Sequence, residues 1–272
     1  MSRAVTLVIA DADEDVRIDL SEMIARIAPG TTVIEVANGT QLNAALQDNA
    51  IDLLFVDVML PQTDGRDIMK WQTAAGPQTM IVLLSDLLSP RWPHVAQSIG
   101  AYDVLLKPFG ETPIKRLIDA CRVLGHSLNL LVVDPSEASR SVIARLLAQS
   151  SFTFEITAFD RARPALRAQQ RRPFDLAIIE LGLPDMPGLE LACQLQAGAG
   201  EVRTVMMGAK VDAKTQKSLK TFGVGAFLAK PFYFPELDAA VHQAFGLWRP
   251  YLINALVAER EKAAAQAVAK SA

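Results

Sequence analysis

The sequence has little cysteine, no long hydrophobic run and no large excess of charge of either sign. Its two cysteines, Cys121 and Cys193, both fall in apolar helical patterns, which favours reduced core thiols over a disulfide framework. No stretch approaches the roughly 18 consecutive apolar residues of a membrane span, and the N-terminus reaches acids before any cleavage signature. We therefore expect a cytoplasmic protein with neither a membrane span nor a signal peptide.

The charge and length of the chain limit its function and its organisation. Lysine and arginine number 27 and aspartate and glutamate 30, for a net charge of -3. No basic cluster follows one face, so nucleic-acid binding has no electrostatic support. With 272 residues, 50% of them hydrophobic, the chain suits about two domains, each with its own core.

Short apolar runs alternate with helical patterns along the first half of the chain. The runs predict strands at Val5 to Ala10, Thr32 to Val36, Ile51 to Asp57, Met80 to Leu84 and Asp103 to Leu106. Apolar residues at helical spacing predict helices near Val16 to Ile27, Gln41 to Gln47 and Ile68 to Thr73, and another that ends at Ile99. This alternation predicts an α/β fold with a doubly wound, five-stranded parallel sheet.

An internal repeat covers most of the chain. A constant shift of 123 residues aligns Asp11 with Asp134, Arg17 with Arg140, Leu60 and Pro61 with Leu183 and Pro184, Gly65 with Gly188, Gly100 with Gly223, and Lys107 to Phe109 with Lys230 to Phe232. A constant offset over a whole α/β unit predicts two copies of one domain in tandem. We predict domains at residues 1–125 and 126–247, with a few linking residues near Gly125 to Leu128.

Residues 248–272 are left over as a C-terminal helical tail. Pro250 suits a first helical turn, and an alanine-rich stretch follows it. A docking or frayed tail is favoured over the seam of a homodimer, because alanine offers little apolar area to bury. The tail is too small for an effector domain, so we expect output through protein–protein interaction.

In the first copy, Asp11, Asp57, Ser85 and Lys107 each stand where a predicted strand ends. Right-handed crossovers place such residues along one edge of a parallel sheet, and open α/β sheets bind ligands at that edge. A single acid after a strand is a weak signal, because an aspartate that only caps the following turn is about as common. The combination of the four positions is what predicts a site.

With these strand ends, the chain resembles the receiver domain of two-component response regulators. The matching stretches read VIADADEDVR, DLLFVDVMLPQTDG, IVLLSD and GAYDVLLKPF. The resemblance covers nearly all of residues 4 to 124 and, in weaker form, 128 to 246. It implies two flavodoxin-like receiver folds in a phosphorelay protein that regulates rather than catalyses, apart from slow self-dephosphorylation.

The same resemblance implies a role for each residue of the first copy. Asp57 would attack a phosphohistidine or a small phosphodonor and become an aspartyl phosphate. A weakly held Mg²⁺ would be bound by Asp11, Asp57 and the backbone carbonyl of Met59, with Asp13 as an alternative ligand. Lys107 would contact the phosphoryl oxygens, and the Ser85 hydroxyl would move onto them afterwards.

Three positions of the first copy depart from the family pattern. Ala12 stands where a second acid usually follows Asp11, so one metal ligand is missing. Asp86 follows Ser85 where a small residue is usual, and its charge opposes an incoming anion. Val104 stands at the aromatic switch position, which removes the usual coupling of hydroxyl movement to ring rotation.

The second copy has lost more of the pattern and resembles a pseudo-receiver. Asp134 and Lys230 are kept, Glu180 replaces the acceptor, Gly208 replaces the hydroxyl residue, Pro135 follows Asp134, and Phe227 fills the aromatic position. Glu180 is one methylene longer than aspartate and could reach Lys230, which would imitate a phosphorylated acceptor. A decayed site kept only as a scaffold is the alternative.

Three functions remain open from the sequence. The first is a tandem receiver protein without an effector domain, whose partners would be a histidine kinase, a histidine phosphotransfer protein or another response regulator. The second is a phosphorylation-independent adaptor in which both copies are non-catalytic. The third is a phosphatase of the haloacid dehalogenase type, whose nucleophile motif resembles Asp11, Ala12 and Asp13. Its counterpart Asp134, Pro135, Ser136 gives this last hypothesis no support.

Overall fold

The computed structural model describes residues 5–63, 79–87, 96, 99–198, 202–209, 219 and 221–247. The chain divides into two compact units with the boundary between Gly125 and His126. The helix predicted near Ile68, most of the helix predicted to end at Ile99, and the tail at residues 248–272 lie outside the described residues.

Unit 1 contains a five-stranded parallel sheet in the order β2-β1-β3-β4-β5. The strands are β1 Thr6–Ala10, β2 Thr32–Val36, β3 Leu53–Asp57, β4 Met80–Ser85 and β5 Asp103–Leu106. The described helices are α1 Glu14–Ile27, α2 Gly39–Asp48 and α3 Glu111–Leu124. This confirms the predicted doubly wound sheet. It also shows that β4 runs one residue further than predicted and ends at Ser85.

Unit 2 repeats this architecture with the strand order β7-β6-β8-β9-β10, all parallel. The strands are β6 Ser127–Val133, β7 Thr153–Phe159, β8 Leu176–Glu180, β9 Arg203–Gly208 and β10 Ala226–Ala229. The described helices are α4 Glu137–Leu147, α5 Ala162–Arg171, α6 Gly188–Gln196 and α7 Phe234–Ala244. The last helix, α7, carries Pro235 in its first turn, where the missing N–H of proline costs no helical hydrogen bond.

The central strands are buried on both faces, as their continuous apolar sequences predict. Every residue of β3 and β4 is buried. The outer strand β7 instead contains only exposed and half-buried residues. Because an acid at the end of a fully buried strand has little access to water, its charge must be met by protein groups or by a ligand.

One aspartate in each unit ties the beginnings of two neighbouring strands together. The Asp52 carboxylate accepts a hydrogen bond from the backbone N–H of Thr6 at 2.8 Å. At the same place in unit 2, the Asp175 carboxylate accepts from the N–H of Asn129 at 2.7 Å. The two aspartates are separated by the same shift of 123 residues that relates the two copies. This spacing is the sequence signal by which they could have been identified.

Two remaining expectations concern the cysteines and the membrane. Cys121 is buried, as predicted for a core thiol, whereas Cys193 is only half-buried, and both are free thiols. The prediction of a core thiol is thus only partly met for Cys193, which is not among the buried residues of α6, Gly188, Leu191, Ala192 and Leu195. Within the described ranges, no helix combines the length and the apolar character that crossing a bilayer requires.

Candidate phosphoacceptor site

The candidate site of unit 1 lies at the carboxyl edge of its sheet, where β1, β3 and β4 end beside one another. Asp57 is the last residue of β3, and Asp11 directly follows β1. The Lys107 ammonium group forms ion pairs with both carboxylates, at 2.6 Å from Asp11 Oδ2 and in direct contact with Asp57 Oδ2. The structure therefore brings together three of the residues that the sequence singled out.

Lys107 is positioned by the strand that precedes it. Its backbone N–H donates to the carbonyl of Ser85 at 2.9 Å, which extends the β4–β5 pairing to the lysine. Burial by itself would lower the pKa of Lys107, but hydrogen bonds and charge from Asp11 and Asp57 outweigh it and raise the pKa above its usual value. The side chain thus carries a fixed positive charge at neutral pH.

Asp57 is also held by the loop that follows it. The backbone N–H of Met59 donates to Asp57 Oδ1 at 2.6 Å, and the N–H of Leu60 donates to the Asp57 carbonyl at 3.2 Å. Asp57 is only 6% exposed, whereas Met59 is 81% exposed. An apolar side chain on the surface therefore stands two residues from a shielded carboxylate.

Ser85 is buried at the same edge, but its hydroxyl is engaged by its own loop. Its Oγ donates to the carbonyl of Leu87 at 2.9 Å and accepts from the N–H of Leu87 at 3.2 Å. Such a local turn fixes the hydroxyl without help from the acids. Val104, at the position of the aromatic switch, is buried in the apolar core between sheet and helices.

The two acids of the first loop have different surroundings. Asp11 is buried, its Oδ1 accepts from the N–H of Asp13 at 3.0 Å, and its Oδ2 lies 2.6 Å from Lys107 Nζ. Asp13 is exposed and is the N-cap of α1, where its Oδ1 accepts from the N–H of Asp15 at 3.0 Å. Because the Asp13 carboxylate caps the helix, an acid at this position does not indicate a second buried metal ligand.

Mg²⁺ takes oxygen ligands and keeps several waters, so one or two carboxylates suffice to hold it. Asp11 Oδ2 and the Asp57 carboxylate supply such oxygens, each in contact with the Lys107 ammonium, and the Met59 carbonyl follows in the same loop. These residues fit a weakly bound Mg²⁺ that competes with the Lys107 ammonium. Among the described residues, no group of three or more His, Cys, Asp or Glu side chains is arranged as a metal site.

An arginine braces the first acid in both units. Arg17 Nη1 donates to the carbonyl of Asp11 at 2.8 Å, and Arg140 Nη1 donates to the carbonyl of Asp134 at 2.6 Å. The repeat offset had already aligned the two arginines. The same contact occurs in unit 2, which has a different acceptor residue. We therefore infer that it stabilises the loop after the first strand of each unit.

In unit 2, protein donors engage the Asp134 carboxylate on both of its oxygens. Its Oδ1 accepts from the N–H of Ser136 at 2.8 Å, and its Oδ2 accepts from Ser139 Oγ and Lys230 Nζ, each at 2.6 Å. No sequence pattern pointed to Ser139, because its counterpart in unit 1 is Val16. With these donors in place, Asp134 is a poorer metal ligand than Asp11.

Glu180 pairs with Lys230, as its extra methylene had suggested. Glu180 Oε2 lies 2.5 Å from Lys230 Nζ, in an ion pair. A Cβ atom added at Gly208 would stand 3.2 Å from Glu180 Oε1 and 3.2 Å from Leu181 Cδ1. The glutamate therefore occupies the space into which a hydroxyl residue at position 208 would project. Phe227, at the aromatic position, packs against the core of this unit.

Asp185, in the loop that follows Glu180, accepts hydrogen bonds from the beginning of α5. Asp185 accepts from the N–H of Ala162 at 2.9 Å and from that of Arg163 at 3.0 Å, at the beginning of α5. Hydrogen bonding from the Arg163 N–H is the main reason that the pKa of Asp185 lies below its usual value. The N-cap residue Arg161 offers no side-chain cap, so Asp185 supplies it from another loop.

We predict that Asp134 makes unit 2 sensitive to acid. Burial by itself would raise its pKa, but hydrogen bonds from Lys230, Ser139 and Ser136 outweigh burial and lower it. A carboxylate with a depressed folded-state pKa stabilises above its unfolded value of about 3.9, and the contribution is lost as pH falls through the folded value. Asp134→Asn should cost about 2 kcal/mol of unfolding free energy at neutral pH and less below pH ~4.

Urea unfolding of the full chain between neutral and acidic pH measures this effect, with unit 2 followed by hydrogen exchange. The control is Asp160→Asn, which removes an exposed carboxylate of the same unit. If the free energies of unfolding of Asp134→Asn and the wild type differed by the same amount at every acidic pH, the lowered pKa of Asp134 would be contradicted.

Comparison with known proteins agrees with the architecture. The response regulator receiver domain family matches the chain twice, at residues 7–119 and 130–242. The chain belongs to this family. The two matched ranges are the two units just described, so both are receiver domains, and the dehalogenase hypothesis finds no support in the family match.

Curated relatives and a solved structure show the same relationship. The chain is 31% identical to the sensory/regulatory protein RpfC of Xanthomonas campestris over 116 residues, which are 41% of this chain and 16% of RpfC. It is 30% identical over 122 residues to "Probable C4-dicarboxylate response regulator DctR" of Halalkalibacterium halodurans, covering 44% of this chain and 51% of DctR. A two-component response regulator/GGDEF domain protein has a similar fold, with a TM-score of 0.65 and 18% identity, over 89% of this chain and 98% of the solved chain. The chain thus matches at most about half the length of these two relatives.

Proposed function

We propose that this tandem receiver protein acts in two-component signal transduction in the cytoplasm, with Asp57 as the phosphoacceptor of unit 1. The phosphoryl group would come from a histidine kinase or a histidine phosphotransfer protein. One observation carries the proposal: the Lys107 ammonium lies between the Asp57 and Asp11 carboxylates at one sheet edge, with Ser85 on the next strand. Output would be through protein–protein interaction.

The transfer is a displacement at phosphorus. An oxygen of the Asp57 carboxylate attacks the phosphorus atom, the P–N bond of the donor's phosphohistidine breaks, and the imidazole leaves and takes up a proton. Lys107 must then exchange its contact with Asp57 for the new phosphoryl oxygens, to which it offers a positive charge that its raised pKa maintains. Ser85 would become a second donor after giving up the Leu87 carbonyl.

The bound Mg²⁺ would neutralise charge on the transferred phosphoryl group. In this chain it would be held by Asp11, Asp57 and the backbone carbonyl of Met59. Asp13 is a less suitable ligand, because its carboxylate caps α1. Ala12 contributes no side-chain oxygen, so we expect weak binding.

We predict that Ala12→Asp tightens Mg²⁺ binding by roughly tenfold, which corresponds to about 1.4 kcal/mol. The substitution places a second carboxylate in an exposed loop position directly after the buried Asp11. Isothermal titration with MgCl₂ measures the change, and Ala12→Asn, which adds a similar volume without charge, is the control. An affinity equal to that of the wild type would mean that another oxygen, such as that of Asp13, already fills the position.

The experiment that tests the proposal is phosphorylation by a small donor. The full chain is incubated with acetyl phosphate and Mg²⁺, and its intact mass is measured over time. We expect one phosphoryl group per chain, in unit 1. A chain that stays unlabelled with acetyl phosphate and with a panel of phosphorylated histidine phosphotransfer proteins would leave the phosphoacceptor role without support.

Unit 2 favours the adaptor function for its own half of the chain. Its acceptor position carries Glu180 in an ion pair with Lys230, and Gly208 has no hydroxyl. We propose that it is a pseudo-receiver that keeps one conformation and presents a binding surface, which unit 1 modulates. If unit 1 also proves unable to accept a phosphoryl group, the phosphorylation-independent adaptor becomes the function of the whole chain.

A further inference from the structure

Helix α5 of unit 2 carries a row of arginines on its surface. Arg163, Arg167 and Arg171, the arginine row, are all exposed and follow one another at intervals of four residues, so they lie on one face of the helix. At a rise of about 1.5 Å per residue, the row extends over roughly 12 Å. Arg161 and Arg172 flank it at the two ends of the helix. The expectation that no basic cluster follows one face is therefore wrong for unit 2.

The arginine row does not stabilise the helix that carries it. Like charges four residues apart on a helix repel each other, and a positive charge in the first turn opposes the helix dipole. The flanking Arg161 and Arg172 each form an ion pair, with Asp160 and Glu155. Within the ranges that the structure describes, no carboxylate forms an ion pair with the row itself, and only the charge of Asp185, at the helix start, acts on its first member.

The corresponding helix of unit 1 shows that the fold does not require these charges. By the shift of 123 residues, α5 corresponds to α2, whose sequence GTQLNAALQD contains neither lysine nor arginine. Thr40, Ala44 and Asp48 stand there at the three positions of the row. Two helices that fill the same place in the same fold thus differ in charge. The difference points to a function of unit 2 rather than to its packing.

The apolar side of α5 is already used by the core of unit 2. Ala162 and Ala165 are fully buried, and Leu166 and Ala168 pack against the same core. Apart from the arginine row, the exposed residue of the helix is Gln170, which is polar. The exposed face therefore offers positive charge and hydrogen-bond donors without an apolar anchor.

This combination selects among anionic partners. Protein interfaces have an apolar core from which charged residues are depleted, and exposed ion pairs alone add little affinity. A helix that lies in a membrane surface needs a free apolar face. A nucleic acid differs from both, because the release of its condensed counterions lets electrostatic contacts alone supply non-specific affinity. Arginine also matches phosphate with a planar fork of donors, and α5 contains no lysine.

We propose that the arginine row of α5 binds the phosphodiester backbone of a nucleic acid. The guanidinium groups contact phosphate oxygens, which fixes the position of unit 2 on the backbone without reading the bases. Because the whole chain has a net charge of -3, the binding is weak and depends strongly on salt. This ligand is additional to the proposed function and does not require phosphorylation of Asp57.

Fluorescence anisotropy of a short labelled DNA duplex measures binding to the full chain. We expect saturable binding at low salt, and a plot of log affinity against log salt concentration with a slope of about -3 for three phosphate contacts. Replacing the whole row, with Arg163→Gln, Arg167→Gln and Arg171→Gln, should weaken binding by at least about tenfold and flatten this slope. Lysine at the same three positions keeps the charge and should leave the affinity within about threefold of the wild type.

The matched control removes three positive charges elsewhere. Arg26→Gln, Lys115→Gln and Arg145→Gln change the net charge by the same amount at exposed positions outside α5. Because charges far from the contact are screened, the control should bind within about twofold of the wild type. Circular dichroism of each variant confirms that it is folded.

Competition with other polyanions decides the chemical class of the partner. Polyglutamate presents carboxylates, and vesicles that contain phosphatidylserine present an anionic membrane. Both should displace the duplex only weakly at an equal concentration of charge. Duplex RNA should bind as well, because the contacts are to the backbone, and a preference for RNA or DNA identifies the source of that backbone in support of the proposal.

Four results would overturn the proposal. They are the absence of binding to both duplexes at low salt, a control variant as weak as the glutamine variant of the row, a lysine variant as weak as the glutamine variant, and binding of polyglutamate or vesicles as tight as that of the duplex.

Discussion

Asp57→Asn is expected to abolish phosphorylation of the chain by acetyl phosphate in the presence of Mg²⁺. The substitution removes the nucleophilic carboxylate but keeps its size, and Asp11 remains as a partner for the Lys107 ammonium. The fold should therefore survive while the chemistry is lost. Unit 2 offers no substitute acceptor, because Glu180 is paired with Lys230 and Asp134 accepts from three donors.

Intact-mass spectrometry after a fixed incubation measures the effect, and circular dichroism confirms that the variant is folded. Asp48→Asn serves as the control, because it removes an exposed carboxylate at the end of α2. The control should be labelled like the wild type. An Asp57→Asn variant with full labelling would place the acceptor elsewhere, and peptide mapping would locate it.

Gly188→Ala is expected to destabilise unit 2 by about 3 kcal/mol or more. Gly188 begins α6 directly against β8, and a Cβ atom there would collide with the carbonyl oxygen of Glu180 and stand 3.1 Å from the Cα of Leu181. Both neighbours are backbone atoms, which cannot rotate away as a side chain would. Relief requires α6 to move from the sheet, which also disturbs the Gly188 N–H bond to the Leu181 carbonyl.

Differential scanning calorimetry of the full chain should show the unit 2 transition lowered by roughly 10 °C. Gly182→Ala is a matched control in the same loop, because nothing lies within 4 Å of the Cβ position at Gly182. It should change the unfolding free energy by less than about 0.5 kcal/mol. Equal melting of the two variants would contradict the close approach of α6 to β8.

The two units act as internal controls for each other. The lysine–aspartate ion pair and the arginine that braces the aspartate carbonyl occur in both, with Lys107, Asp11 and Arg17 in unit 1. Unit 2 keeps these contacts although it has no aspartate at its acceptor position. Part of their role is therefore structural. The acceptor and the hydroxyl residue differ between the units, and our proposal assigns phosphoryl transfer to unit 1 because of that difference.

The fold and the positions of the strand-end residues could be predicted from the order of the amino acids alone. Continuous apolar runs predict buried strands, and the repeat predicts a second copy, because both signals depend only on the order of residues along the chain. Ser85, Asp57 and Lys107 followed from the rule that parallel strands end at one edge. The sequence also predicted that Glu180 could reach Lys230, since that argument needs only the length of a side chain.

The hydrogen-bond partners of the polar groups, in contrast, follow from the three-dimensional packing of the chain. Nothing in the order of residues indicates that Ser139 donates to Asp134, that Asp185 caps α5, or that Ser85 hydrogen-bonds Leu87 rather than an acid. A cavity beside Lys107 likewise combines residues from α1 with residues that follow β4 and β5. Such contacts depend on side-chain directions and on distances between elements far apart in sequence, which packing fixes and local pattern does not.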